Sequence, residues 1–423
     1  MDEQWERDSL LGGYRVLDLA DQKGLLCGKI LADFGADVVK VERPGGDPAR
    51  RLGPFYKDIP HPEKSLFWFA YNLNKRSITL DIETIDGREI FKRLVKTADF
   101  VIESFPAGHM QELGLGYPEL EKINPGLVMV SISPFGQTGP YSQYKVNDMI
   151  LWALGGMMFI SGDSDRPPVQ VTFPQAYLHA GSESAVGAMI AHYYRELTGE
   201  GQYVDVSAQE CVLWGTWQIQ NSWEMNQIIR ERGSHQGLRR GTGVYISNPS
   251  VWACKDGYVY GGMGGGALAA ARVSAENLTK WMAETGEAGE LADYDWSQWS
   301  SLTITQEEIT PKHRLVEAFL AKRTKREIFE EGLKRRIAFN PICNAKDVVE
   351  SPQFAARGFF VEVEHPELGA TLTYCGPWLK LSETPLTVRR RPPLIGEHNE
   401  EIYKEELGLT DQQLVNLKRA SVI

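Results

Sequence analysis

VLDLADQKGLLCGKILADFGADVVKVE, residues 16–42, reads as strand, helix, strand. Tyr14 to Leu19 has the character of a short buried strand. Gly24 to Phe34 sets Leu25, Leu26, Ile30 and Leu31 at helical spacing, and Asp37 to Glu42 (DVVKVE) forms a second strand. The alternation continues outward. Ser77 to Ile82 predicts a strand and Asp86 to Thr97 a helix. Phe100 to Glu103 and Leu127 to Ser133 are further strands, with a helical segment between them. Such alternation implies an α/β fold with a parallel sheet.

The 423 residues allow two domains, and 42 % hydrophobic with 24 % charged residues is ordinary globular composition. A formal net charge of −11 supplies no general cationic field, which excludes nucleic acid as the main partner. The longest near-apolar run, Met149 to Ile160, is too short for a bilayer, so no membrane partner is expected. The N-terminal MDEQWER is unlike a signal peptide. Five scattered cysteines without a CxxC pair indicate neither a metal site nor a disulfide framework, and point to a reduced, cytoplasmic protein.

The segment from Asn147 to about Phe159 predicts a helix. Pro168 to Phe173 is extended, and PQAYLHAG (174–181) opens a long helix to about Leu197. Ala180, Gly181, Ser184, Ala185, Gly187, Ala188 and Ala191 give that helix a small-residue face that something must approach closely. A strand at Tyr203 to Val206 leads into a long helix carrying Trp214, Trp217 and Trp223, which read as core or subunit packing. The expected organisation is a large domain over 1–228, a basic Gly-rich linker at 229–243, a small α+β domain at 244–328, and a return at 329–423 with a hairpin at 360–374 and a closing helix from Asp411.

Several motifs weigh little. Gly262-Met263-Gly264-Gly265-Gly266-Ala267 nearly fits a dinucleotide fingerprint but lies outside a strong βαβ run. His179 and His192 are not spaced as metal ligands and read as packing or surface residues. Arg389 to Arg391 reads as a solvated basic run. Asp148 is either a helix-start acid or a catalytic carboxylate.

The stretch 16–50, with NLNKRSITLDI (72–82), ADFVIESF (98–105), ELGLGYPELEKINPGLVMVSISPFGQTGPY (112–141), HYYRELTGEGQYVDVSAQE (192–210), ARGFFVEVEHPELG (356–369) and LIGEHNEE (394–401), resembles the class III coenzyme A transferases, the formyl-CoA and carnitine CoA-transferase group. The resemblance covers nearly the whole chain. It implies a large Rossmann-like domain built from both chain ends, a smaller domain, and an interlocked dimer. It also implies CoA thioesters as substrates rather than a permanent cofactor.

In that family a carboxylate attacks the thioester and forms a mixed anhydride. The resemblance implies an aspartate in a Pro-x-Ala-Asp-Leu pattern. Here Tyr177 stands in its place, with Asn147-Asp148 at the family's Tyr/His-acid pair. A phenol, with a pKa of about 10, stays protonated at neutral pH and cannot form the anhydride. The resemblance also implies CoA contacts at Gln22, Arg43, Asn72, Phe105 and Lys145, whereas Glu112 puts a negative charge where the family often has arginine. The expectation is a subunit of a heteromeric CoA-transferase whose homologous partner carries the aspartate. It would move CoA between succinyl-CoA and an organic carboxylic acid, aromatic acids included. The alternatives are a self-sufficient transferase using Asp148 or Glu183, and a non-catalytic CoA-ester-binding or regulatory paralogue.

Overall fold

The computed structural model describes residues 9–163, 166–230, 232, 247–264, 269–300 and 304–423. The chain divides into two compact units. One comprises Met1–Met157, Gln170–Asn226 and Pro352–Ile423; the other comprises Met158–Val169 and Gln227–Ser351.

The first unit opens with β1 (Arg15–Asp18), α1 (Leu25–Asp33), β2 (Asp37–Glu42), β3 (Arg76–Thr79), α2 (Ile85–Val95), β4 (Phe100–Glu103) and β5 (Val128–Ser133). Then come α3 (Asp148–Leu154), α4 (Gln175–Thr198), β6 (Gln202–Ser207), α5 (Ala208–Trp214) and α6 (Trp217–Asn226). The six strands form one sheet in the order β3-β2-β1-β4-β5-β6, and every pair is parallel. Both faces of such a sheet are covered, so its strands are continuous apolar runs rather than alternating ones. The burial of every residue of β4 and β5 fits that rule. The strand order reverses between β1 and β4, and in doubly wound sheets ligands bind at the carboxyl ends of the strands beside such a reversal.

The second unit contains β7 (Val251–Cys254), β8 (Gly257–Gly261), α7 (Ala269–Glu284), α8 (Gln306–Leu320), α9 (Lys325–Arg335) and β9 (Phe339–Pro341). Its three strands are antiparallel around a core that includes Trp252, Trp281, Trp296 and Phe319. Thr305 with Glu308, and Thr324 with Glu327, form capping boxes that start α8 and α9. The expected domain boundary at residue 328 falls within α9, and β9 pairs with β8 beyond it.

The chain then returns to the first unit through the hairpin β10 (Phe360–His365) and β11 (Ala370–Cys375) and ends in α10 (Asp411–Arg419). Ile402, Tyr403, Leu409, Val422 and Ile423 join the core formed by Leu17, Val39, Ile78, Val101 and Met129. Tyr403 Oη donates to the Thr79 carbonyl at 2.7 Å, and Arg76 Nη1 reaches Glu401 and Glu406 at 2.8 Å each. The large unit is therefore assembled from both ends of the chain.

Three local expectations change. The helix after Asn147 stops at Leu154, because Gly155 caps it and Gly156 takes a φ of 84°. The long tryptophan-bearing helix is two helices, α5 and α6, separated at Gly215 and Thr216. Arg389 to Arg391 is not a plain solvated run: Arg389 Nη2 donates to the Ala32 carbonyl at 2.8 Å, and Arg391 pairs with Glu367 and Glu397. Most of the 229–243 linker and the Gly265–Ala267 end of the glycine motif lie outside the described residues. Among the described residues no helix is long and apolar enough to cross a membrane.

Candidate active site

Helix α4 begins without a side-chain cap, since Pro174 occupies its N-cap position. A helix start leaves backbone N–H groups without partners, and something must accept them. Asp148 does so from a distance in sequence. Its Oδ1 accepts the Tyr177 N–H at 3.0 Å, and its Oδ2 accepts Gln170 Nε2 at 3.4 Å. Asp148 as a whole is 7 % exposed. Burial raises its pKa, opposed by the backbone N–H groups of Tyr177 and Ala176. Next to it, the Asn147 side chain accepts the Ile150 N–H at 3.1 Å and caps α3. The pair Asn147-Asp148 thus starts two different helices.

Tyr177 is 6 % exposed, and its hydroxyl lies 3.5 Å from the Val146 carbonyl. Its pKa is pushed above the ordinary phenol value, first by burial and then by the charges of Asp148 and Asp21. The residue at the expected nucleophile position is therefore a buried phenol whose ionised form is disfavoured.

Asp21 was not singled out by the sequence reading. It follows β1, and Ser104, just past β4, donates Oγ to its Oδ1 at 2.9 Å. The Asp21 N–H donates back to Ser104 Oγ at 2.9 Å, and Lys23 Nζ pairs with its other oxygen. The Asp21 side chain is 34 % exposed, so a solvent-borne group can reach it. Glu103, the last residue of β4, is 3 % exposed, and its pKa is raised to about 7. Burial is the main cause, opposed by hydrogen bonds from Ser131 and from the Phe105 N–H, the latter at 2.7 Å. Asp21 and Glu103 thus stand at the carboxyl ends of the two strands where the order reverses. Only the pairing of β1 with β4 could have revealed them, because neither carries a local motif.

The small-residue face of α4 has a partner within the chain. A Cβ on Gly181 would lie 2.9 Å from Leu26 Cβ and 3.3 Å from the Cys27 nitrogen, and one on Gly187 would lie 2.8 Å from Val204 Cγ1. Backbone approach to α1 and β6 explains that stripe without a second chain. Beside that stripe α4 exposes large apolar groups: Ile190, Tyr193 and Leu197 are 65–68 % exposed. A groove of about 790 Å³ between α1 and α4 is lined by Ile30, Phe34, Val186, Ile190, Tyr193 and Trp378, among others.

The remaining expected residues are spread out. Gln22, Arg43, Glu112 and Lys145 are exposed, and Arg43 pairs with Glu83. Phe105 packs its ring 4.9 Å from that of His109. Asn72 is fully buried and donates Nδ2 to the Trp68 carbonyl at 3.0 Å, so its amide faces inward. Glu183 is half-buried on α4, where its charge adds to burial in raising the pKa of Cys211. His192 packs between Tyr14 and Phe100 and contacts Arg195, as a packing histidine should. His179 lies half-buried against Trp152. Trp214, Trp217 and Trp223 are 56, 52 and 46 % exposed, so they are not part of this chain's core. No cluster of His, Cys, Asp or Glu among the described residues could hold a metal ion.

The profile of CoA-transferase family III matches residues 11–399. The chain is 34 % identical over 416 residues to subunit BbsE of the succinyl-CoA:(R)-benzylsuccinate CoA-transferase of Thauera aromatica, covering 97 % of each chain. It is 34 % identical over 422 residues to the succinyl-CoA–D-citramalate CoA-transferase of Chloroflexus aurantiacus, covering 98 % of each. Among solved structures, a CaiB/BaiF family protein from Brucella suis superposes with a TM-score of 0.81 at 28 % identity, over 94 % of this chain and 99 % of that one.

Proposed function

The chain belongs to CoA-transferase family III, and from that premise we propose that it is the non-nucleophilic subunit of a two-chain CoA-transferase. A homologous partner supplies the aspartate that becomes the acyl anhydride, in an interlocked assembly. The donor is succinyl-CoA and the acceptor an organic acid, with aromatic acids such as benzylsuccinate included. No cofactor is held permanently; CoA and its thioesters come and go as substrates.

The observation that carries this reading is the state of Tyr177. Thioester attack needs an ionised carboxylate or another activated nucleophile. Tyr177 is a buried, neutral phenol, and the adjacent acid, Asp148, has both oxygens engaged at the start of α4. The exposed apolar side of α4 and the exposed tryptophans of α5 and α6 supply surface for a partner chain. Arg43, Lys145 and Phe105 are retained, and are assigned to the phosphates and adenine of CoA; Gln22 is assigned to the same ligand. Asn72, buried with its amide on the Trp68 carbonyl, is left out of that assignment.

A second reading, in which the chain carries its own nucleophile, has one observation in its favour. Asp21 is a partly exposed carboxylate whose charge reaches Tyr177. Trapping separates the two. The chain, alone and with its co-expressed homologue, is incubated with succinyl-CoA and hydroxylamine, and modified carboxylates are mapped by peptide mass spectrometry. Label confined to the homologue supports the two-chain reading. Label on Asp21, Asp148 or Glu183 of this chain overturns it.

A further inference from the structure

Three loops meet at the carboxyl ends of β3, β2 and β4. Glu83 lies just past β3, Arg43 directly follows β2, and His109 opens the short helix past β4. Arg43 Nη2 pairs with Glu83 Oε1, and His109 Nε2 lies 3.9 Å from the same oxygen. At that distance the imidazole makes no hydrogen bond, and Nε2 is buried with no hydrogen-bond partner among the described residues. The Glu83 backbone is fixed: its N–H donates to Asp81 Oδ1 at 3.0 Å, and its carbonyl accepts Arg88 Nη1 at 3.0 Å. Its side chain is 45 % exposed and that of Arg43 is 59 % exposed, so both have room to move.

We propose that Glu83 is a built-in competitor for the phosphate site. In the free chain its carboxylate occupies the anion position between Arg43 and His109, and a CoA phosphate binds by displacing it. This rests on the assignment of Arg43 to a CoA phosphate. It adds His109 as a second contact to the phosphate and Glu83 as the group that sets the site's affinity. An arginine held by a surface carboxylate must release that partner before it can bind a phosphate bidentately. A phosphate seated there would approach His109 Nε2 more closely than Glu83 does and give that buried nitrogen its partner.

The test is calorimetric titration of the full chain, with its partner subunit where the two co-purify, using CoA and using pantetheine, which lacks the phosphates. Glu83→Gln is expected to tighten CoA binding about two- to fivefold, the size of one exposed ion pair. Pantetheine binding should stay constant, and His109→Ala should reverse the gain. Equal CoA affinity for wild type and Glu83→Gln, with Arg43→Ala still weakening it, overturns the competitor role and leaves the Arg43 assignment standing. An equal gain for pantetheine also overturns it. No CoA binding by either protein overturns the assignment of Arg43 and this inference together.

Discussion

The Asp148 carboxylate accepts the backbone N–H of Tyr177 at 3.0 Å, bridging 29 residues of sequence. The acid nearest the expected reaction centre is thereby committed to starting a helix. Asp148→Ala should leave the first turn of α4 without its acceptor and lower stability by about 1–2 kcal/mol. Asp148→Asn keeps an acceptor oxygen and avoids burying a charge, so it should stay within about 1 kcal/mol of wild type. Urea denaturation of the two variants checks the difference. A large loss for both would mean the charge itself matters.

The buried Tyr177 phenol resists ionisation, so it is expected to take no part in proton transfer. Its hydroxyl makes one long contact, 3.5 Å to the Val146 carbonyl. Tyr177→Phe should therefore leave turnover of the two-chain enzyme within about twofold of wild type, since such a hydrogen bond contributes little. Steady-state kinetics with succinyl-CoA test this, and a drop of two orders of magnitude would assign the phenol a chemical role.

Glu103 makes stability depend on pH. Its pKa of about 7 in the fold lies above its ordinary value of 4.5. Between those values the native state binds more protons than the unfolded chain, so stability rises on acidification from about pH 8 towards 5 and falls as pH rises through 7. Full ionisation costs on the order of 2–4 kcal/mol. Glu103→Gln should flatten that part of the profile and equal or exceed wild type at pH 8. Denaturation midpoints measured across this range decide it, and an unchanged slope in the variant would rule Glu103 out as the source.

Arg76 is the clasp between the sheet and the returning C-terminal segment. Its side chain is 2 % exposed and pairs with Asp37, Glu401 and Glu406. Without Arg76, Asp37 and Glu406 keep Arg15 as a partner, while Glu401, 45 % exposed, loses its own to solvent. Arg76→Met should destabilise the fold by about 1–3 kcal/mol, less than the loss expected for a wholly unpaired buried charge. Limited proteolysis should cut first between Gly396 and Glu406, and protection there equal to wild type would contradict the clasp.

The sequence alone determined what depends on neighbouring residues. Strand and helix alternation over the first 135 residues, the hairpin at Phe360 to Cys375 and the closing helix at Asp411 follow from periodicity, turn residues and caps, which act within a few positions. That Tyr177 stands where the family resemblance implies an aspartate was likewise legible in the local pattern. Tertiary structure decided which groups meet. The pairing of β1 with β4 brings Asp21 to Ser104, and the chain's return brings Tyr403 to Thr79. The role of Asp148 was equally undetermined by its neighbours, because a carboxylate at a helix start can cap, bind or react. Its burial and the Tyr177 N–H that it accepts show that it caps α4, and those come from a segment distant in sequence.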